Sequence, residues 1–484
     1  MKIGRTILSA TIAVSLSACG GGGNNGSNNI SSSGGTSTTS GGTTSGGTSG
    51  GTSGGTCSLS SRQDFVDQVL NEWYLFPDLL DASVNKANFT DLQSYIDARV
   101  APARAQGKDR GFSYITSIQE ETDLIQNGSS AGFGIRLGYD TGANRVFVIE
   151  AYESGNGFDA GMDRGTELLG IDGTSVASLM ASGGPSAVIN ALGASTPGLT
   201  RTLRYRPLNG VEQTNTIAKS EFSLDPISDR YGVKVLNDGT EDVGYINLRT
   251  FIVSDAGPQL RTAFQQFKTQ GIDKVILDFR YNGGGLVSVA ELLGDLMAEG
   301  KAGQVFSRTV LRPSKSSENE TDLFQAQAEA IGVTRLAVIG RGGTASASEL
   351  VTNSFIPYLG NDIALVGSNT FGKPVGQFAF DRSACDDRFR AVAFKTTNAD
   401  GQGEYFNGLA AVMPNTCAAG DDISRQLGDA NEASVSAALD FLAGRACTPI
   451  TATQGRTVQS VKRTIEPLQP KQPNAAQWEM PGLF

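Results

Sequence analysis

No histidine occurs among the 484 residues of this chain. That absence excludes a Ser-His-Asp triad, a Cys-His pair and any zinc site that depends on imidazole ligands. Nucleophilic chemistry here has to recruit a different base. Long hydrophobic runs are also missing: the one extended apolar stretch, from Ile7 to Leu16, is too short for a permanent membrane-spanning helix. Positive charge is in deficit, with Lys plus Arg at 39 against Asp plus Glu at 49, a net charge of −10. A general nucleic-acid binder needs a basic face that displaces counterions, so no nucleic-acid partner is expected. No pattern in the sequence calls for a metal or another cofactor. The length allows about two to four domains.

Glycine is abundant at 61 residues, and 15 of these fall between Gly20 and Thr56. The rest of that stretch is Ser, Thr and Asn with the single Ile30. It can bury no core, so residues 19–56 are read as a flexible linker with an r.m.s. reach of about 33 Å. Ahead of it, Lys2 and Arg5 precede the apolar run, which ends in Leu16-Ser17-Ala18-Cys19 before Gly20. This resembles a bacterial lipobox, in which residues 1–18 are the signal peptide and Cys19 carries lipid. An ordinary secretory signal cut near Ala18 is the other reading. Gly20 in place of Asp implies, by the same resemblance, a lipid anchor in the outer membrane of the cell envelope, facing periplasm or cell surface.

Removing Cys19 leaves Cys57, Cys385, Cys417 and Cys447. An even number in an exported protein suggests two disulfides. Three pairings are possible. Cys385–Cys417 and Cys57–Cys447 are favoured, one stapling a single excursion and the other joining the ends of the folded body. Free buried thiols are the alternative.

Behind the linker the pattern changes three times. In residues 57–127, Phe65, Val66, Val69, Leu70 and Trp73 recur at helical spacing. Ser61 with Asp64 reads as the helix cap, Pro77 as its end, and Leu92–Val100 as a second helix. Residues 128–221 are β-rich with glycine turns, including Val146–Ile149 and the ordered motifs Gly157–Met162, Arg164–Leu169 and Ile171–Gly173. This run resembles a PDZ domain. The resemblance implies that Gly132, Phe133, Gly134 and Ile135 form its peptide-binding loop, where backbone N–H groups capture a chain terminus while the peptide adds a strand. Residues 222–450 alternate strand and helix, with apolar strands at 243–248, 275–279, 336–339 and 363–366, the order of an α/β core. Residues 451–484 carry scattered Pro and Gln and are read as an extended tail.

Three motifs in the 222–450 region carry chemistry. Thr344-Ala345-Ser346-Ala347-Ser348-Glu349 puts a serine at a helix start, where the dipole and free N–H groups favour negative charge. Ser346 with Glu349 also reads as a capping box. Phe371-Gly372-Lys373-Pro374-Val375-Gly376-Gln377 places a lysine between apolar segments. Gly367–Lys373 nearly spells a phosphate-binding loop, but Pro374 stands where the magnesium-binding hydroxyl belongs, which argues against nucleotide binding. Asp278–Gly285 ends in three glycines that let backbone N–H groups approach a carbonyl oxygen, or simply make a tight turn. Ser83–Lys86 has the β-lactamase Ser-x-x-Lys spacing, without the partner motifs that chemistry needs.

Together these motifs resemble the C-terminal processing peptidases, or tail-specific proteases, over roughly residues 57–447. The resemblance implies a multidomain α/β protein: a helical N-terminal region, a PDZ domain, and a catalytic core like that of the crotonase and caseinolytic-protease group. By position it implies a catalytic dyad of Ser346 and Lys373, with Gln377 orienting the lysine. Gly284 and Ala347 match the oxyanion N–H donors. Substrates would be proteins or peptides with free C-termini, and no adaptor is identifiable. Gly283 stands where the family usually has proline, and the Ser346–Lys373 interval is about two residues longer than usual, leaving Ser348 as the second choice of nucleophile. The alternative is an envelope lipoprotein that binds protein tails with a silent core.

The chemistry agrees with the missing histidine. A serine hydroxyl needs a base. A lysine of ordinary pKa is only about 0.04% neutral at pH 7. Burial in an apolar pocket has to bring that pKa to roughly 7–8, a change worth about 4 kcal/mol.

Overall fold

A computed structural model describes residues 56–451, 465–470 and 473–484. The expected signal peptide 1–18, Cys19 and all but the last residue of the expected linker 19–56 lie outside the described residues. The chain is a mixed α/β protein. Its central sheet runs in the order Val233–Asn237, Asp242–Asn247, Lys274–Asp278, Arg335–Gly340, Ile363–Gly367, Asn415–Ala418. The first pair is antiparallel and the rest are parallel. Val275-Ile276-Leu277 and Leu336-Ala337-Val338-Ile339 are fully buried, as the near-continuous apolar runs of a sheet covered on both faces require. Leu277, Val338 and Leu365 pack with helices Ala256–Gln270, Val287–Met297 and Ala347–Leu359. Ile276, Ala337, Ile339 and Val366 lie under helix Ala433–Leu442.

A second, antiparallel sheet comprises Ile135–Asp140, Arg145–Ala151, Glu167–Ile171, Thr200–Arg206 and Gln213–Ala218, with Thr174–Ser175 and Glu466–Pro467 at its margins. Its inward residues Leu137, Val148 and Leu203 pack against Met180, Val188 and Leu192 of helix Val176–Leu192. A third sheet was not anticipated. Strand Asp387–Thr397 pairs antiparallel with Tyr114–Ser117, Val305–Leu311 and Val375–Arg382. Helix Leu59–Trp73 lays Val66 and Leu70 on Phe389, Ala391 and Val392 of that strand. The helical region and the antiparallel sheet therefore share one core. The helix cap is Ser58, whose hydroxyl accepts from Ser61 N–H, one turn before the expected Ser61.

Two expectations are corrected. Cys57 is bonded to Cys385 and Cys417 to Cys447, with Cα atoms 5.4 and 5.2 Å apart, not Cys385 to Cys417 and Cys57 to Cys447. Cys57 opens the helix that packs on the antiparallel sheet, next to the turn Ser383–Cys385. Cys417 lies on the edge strand of the central sheet, and Cys447 follows the helix covering that sheet. The tail is not merely extended in its described parts. Glu466–Pro467 pairs with Tyr139 and Gly138, and residues 475–479 form a helix packed into the body.

Candidate active site

The three motifs follow the C-terminal ends of three adjacent parallel strands, Lys274–Asp278, Arg335–Gly340 and Ile363–Gly367. This is where open α/β sheets place their ligand crevices. Asp278–Gly285 turns off the first strand, Thr344–Glu349 off the second and Phe371–Gln377 off the third.

Ser346 is the half-buried residue that starts helix Ala347–Leu359, with φ 54° and ψ −115°. A non-glycine residue at positive φ is held there by its surroundings. Those surroundings centre on Glu349, fully buried. Its carboxylate accepts from Ser346 N–H (3.2 Å), Gly372 N–H (2.7 Å), Lys373 N–H (2.7 Å) and the Thr370 hydroxyl. One side chain thus ties the backbone of Ser346 to that of Lys373. Burial pushes the Glu349 pKa up, and the four donors hold it back. Ser348 is fully buried and its hydroxyl donates to the Asn282 carbonyl (3.1 Å), whereas Ser346 is half-buried.

Gly284 has φ 114°, and a Cβ there would stand 2.7 Å from Ser346 Cβ and 3.0 Å from the Ala347 nitrogen. The two expected oxyanion positions therefore adjoin the serine. Ala347 is the first helical residue, whose N–H has no intrahelical partner. The Gly284 N–H donates to Asn282 Oδ1 (2.9 Å), so in this conformation it is turned into its own loop. The loop is also fastened to the second sheet. Buried Arg164 donates to the Tyr281 hydroxyl (2.8 Å), and Tyr281 and Arg164 both bond Asp421.

Lys373 is half-buried, with its Nζ 5.1 Å from the centre of the Phe112 ring. Burial lowers its pKa from the ordinary lysine value, while the carboxylates of Glu479 and Asp109 oppose that change. Gln377 donates its amide to the Phe112 carbonyl (2.8 Å), so it acts on the lysine pocket by holding the residue whose ring faces the ammonium. Asp109 Oδ1 pins the same residue by accepting from Phe112 N–H (2.8 Å).

Gly132, Phe133, Gly134 and Ile135 form a loop between strands Ser129–Gly132 and Ile135–Asp140, at the edge of the second sheet. The edge is covered by the chain itself: Ile135 N–H donates to Phe484 O (3.1 Å). Lys219 Nζ lies 5.0 Å from the centre of the Phe133 ring, and burial lowers its pKa to about 8. Asp109, Phe112, Lys219 and Glu479 were not picked out from the sequence. Asp109 and Phe112 lie more than 250 positions from Lys373, and no local pattern announces such a contact. Glu349 was visible as a capping partner, and its second duty to the lysine strand was not.

Residues 242–410 match the model of peptidase family S41. The chain is 29% identical over 279 residues to the chloroplastic C-terminal processing peptidase of Tetradesmus obliquus, covering 53% of this chain and 54% of that one. It is 26% identical over 262 residues to the carboxyl-terminal-processing protease of Synechocystis sp., covering 54% and 57%. The chain spans about half the length of the curated relatives it matches. Among solved structures, the fold is similar to that of a putative S41 protease from Bacteroides fragilis, with TM-score 0.61 and 20% identity over 78% of this chain and 97% of that one. Residues 242–410 are thus similar to a peptidase family S41 domain, and the relatives matched carry the names C-terminal processing peptidase and carboxyl-terminal-processing protease.

Proposed function

We propose that this protein is a serine endopeptidase with a Ser346–Lys373 dyad, acting on envelope or exported proteins whose C-terminal tails a PDZ module at residues 128–221 captures. The observation that carries the reading is Glu349, one buried carboxylate that fixes both dyad backbones across neighbouring strand ends. Burial supplies the second requirement, a lysine whose pKa is pulled toward neutrality.

In the proposed cycle, neutral Lys373 takes the Ser346 hydroxyl proton as the oxygen attacks a peptide carbonyl. The developing oxyanion is held by the N–H groups of Ala347 and Gly284. For Gly284 to serve, its N–H must leave Asn282 Oδ1, so a small turn of the 282–285 loop precedes chemistry. Lys373, now charged, donates its proton to the leaving amine. Water, deprotonated by the same lysine, then attacks the acyl-enzyme carbonyl, and the lysine returns that proton to the departing Ser346 oxygen. Gln377 keeps the Phe112 wall in place.

The same proposal places the protein in the bacterial cell envelope, lipid-anchored through Cys19 and held off the outer membrane by the linker. Support for that part rests on the lipobox-like residues alone.

The test is incubation of the full chain with an unstructured protein, followed by mass analysis of fragments. Cleavage should appear with the wild type and vanish with Ser346→Ala. Lys373→Arg should also be inactive, because guanidinium cannot serve as the base. Undiminished cleavage by Lys373→Arg would defeat the dyad, and no cleavage by any form would favour a tail-binding protein with a silent core.

A further inference from the structure

Residues 474–484 run along the expected peptide-binding residues 132–135 and beside the loop that carries Gly284. Along the second sheet they add to the edge of strand Ile135–Asp140. Ile135 N–H donates to Phe484 O (3.1 Å), Phe484 N–H to Ile135 O (2.9 Å) and Leu137 N–H to Gly482 O (2.7 Å). The Phe484 side chain is 2% exposed and packs into the core of that sheet with Leu137 and Val188. Met480 and Leu483 join a separate cluster with Tyr152 and Ile252. This is the hydrogen-bonding pattern of a bound peptide strand, with alternate side chains in apolar pockets.

The same segment also passes beside Gly283 and the surroundings of Lys373. Helix Ala475–Glu479 stacks Trp478 on Tyr114, with centroids 4.3 Å apart and planes at 14°. Tyr114 donates its hydroxyl to Glu479 Oε1 (3.2 Å), and the Glu479 carboxylate opposes the lowering of the Lys373 pKa. Two glycines make room for this path. A Cβ at Gly132 would lie 2.5 Å from the Phe484 carbonyl carbon, and one at Gly283 would lie 2.5 Å from the Glu479 oxygen. Any side chain at Gly283 would meet that oxygen, so glycine there fits the seated segment.

We infer that residues 474–484 are a resident ligand of the peptide groove and cleft, an internal competitor that a substrate tail has to displace before it is cut. This rests on the peptidase reading proposed above. Tethered occupancy is effectively intramolecular, so a short free peptide displaces the segment only near millimolar concentration. A segment docked nine parts in ten lowers the apparent affinity for an outside peptide about tenfold.

Trp478 gives a readout independent of catalysis. The chain has 2 tryptophans, so a Trp73→Phe, Ser346→Ala double variant leaves Trp478 alone. Titration with the pentapeptide Met-Pro-Gly-Leu-Phe to millimolar concentration should shift its emission to longer wavelength and saturate. Phe484→Asp, which puts a charge in the apolar pocket, should give the shifted emission with no peptide. In the chain that retains Ser346, Phe484→Asp should raise kcat/KM for an unstructured peptide about tenfold. Emission unmoved by both pentapeptide and Phe484→Asp overturns the inference. So does an unchanged or lower kcat/KM in a folded Phe484→Asp chain beside an active wild type. Loss of residues 480–484 from the wild type on incubation, seen by intact mass, overturns it too, because the segment is then a substrate and not a competitor. If neither chain cuts anything, the peptidase reading fails while the two emission measurements still decide whether the segment is a displaceable ligand.

Discussion

Ser346 and Lys373 share the Glu349 carboxylate through their backbone N–H groups, yet their surroundings come from very different distances along the chain. The serine side is local and made of backbone: Asn282, Gly284, Ala345 and Glu349 come from two neighbouring strand ends. The lysine side is assembled from afar. Its wall is Phe112 from the N-terminal region, its opposing charges are Asp109 and Glu479, and its clamp Gln377 reaches back to Phe112. Position is therefore fixed by nearby turns on a rigid sheet, whereas basicity is set by side chains on separate elements. A site divided this way can change its lysine pKa without moving Ser346.

Glu349 belongs to both sides, so Glu349→Ala should produce the largest effect. Three backbone N–H groups and a hydroxyl would lose their acceptor, at roughly 1–3 kcal/mol for each buried group left unpaired. We expect at least about 3 kcal/mol lost in denaturant unfolding and a fall in kcat of about 10²-fold or more in whatever folds. A stable, fully active variant would dissolve the division between the two sides.

Phe112→Ala should act on the lysine side alone. Water reaching Lys373 moves its pKa back toward the ordinary lysine value, so the rise of kcat/KM with pH moves to higher pH. A profile displaced by about one pH unit means a tenfold loss at neutral pH that recovers in alkaline buffer. A loss that is the same at every pH would instead mean damage on the serine side.

Glu479→Gln should give the smallest effect, and the opposite sign. The charged groups acting on Lys373 are Glu479, Asp109, Glu349 and Arg390. The carboxylates favour the ammonium form, so removing one lets burial lower the pKa further. The pH profile should move to lower pH by less than about one pH unit, with a rise of a few-fold in kcat/KM at neutral pH. A displacement to higher pH would show that Glu479 does not act through its charge on the lysine.

What could be read from the sequence follows the same division. The runs Val275–Phe279, Leu336–Ile339 and Ile363–Val366 announced buried parallel strands because they are apolar almost throughout. The motifs at their ends lay where the strands placed them. The antiparallel sheet was not visible, because strand Asp387–Thr397 finds its partners at residues 114–117, 305–311 and 375–382. Pairing through backbone groups leaves no residue signature. Residues 480–484 escaped for that reason as well. Pro467, Pro470, Pro473 and Pro481 argued against long regular elements, and the helix at 475–479 is indeed one of only 5 residues. Seating as an added strand asks for no propensity at all. Cys57 meets Cys385 because a helix packs beside a remote turn, which spacing along the chain does not encode, and Cys417 then pairs with Cys447, 30 positions on.

The bond between Cys57 and Cys385 spans 328 positions. It closes most of the folded body into a covalent ring that holds the helical region, the second sheet and the motifs around Gly284, Ser346 and Lys373. A single cut by a neighbouring protease anywhere inside that ring opens it into a linear chain but frees no fragment. The nicked molecule keeps its mass apart from one added water, and its halves stay close enough to remain paired across the sheets. The arrangement gives the chain a tolerance of surface nicks, visible as a ladder of bands only after reduction.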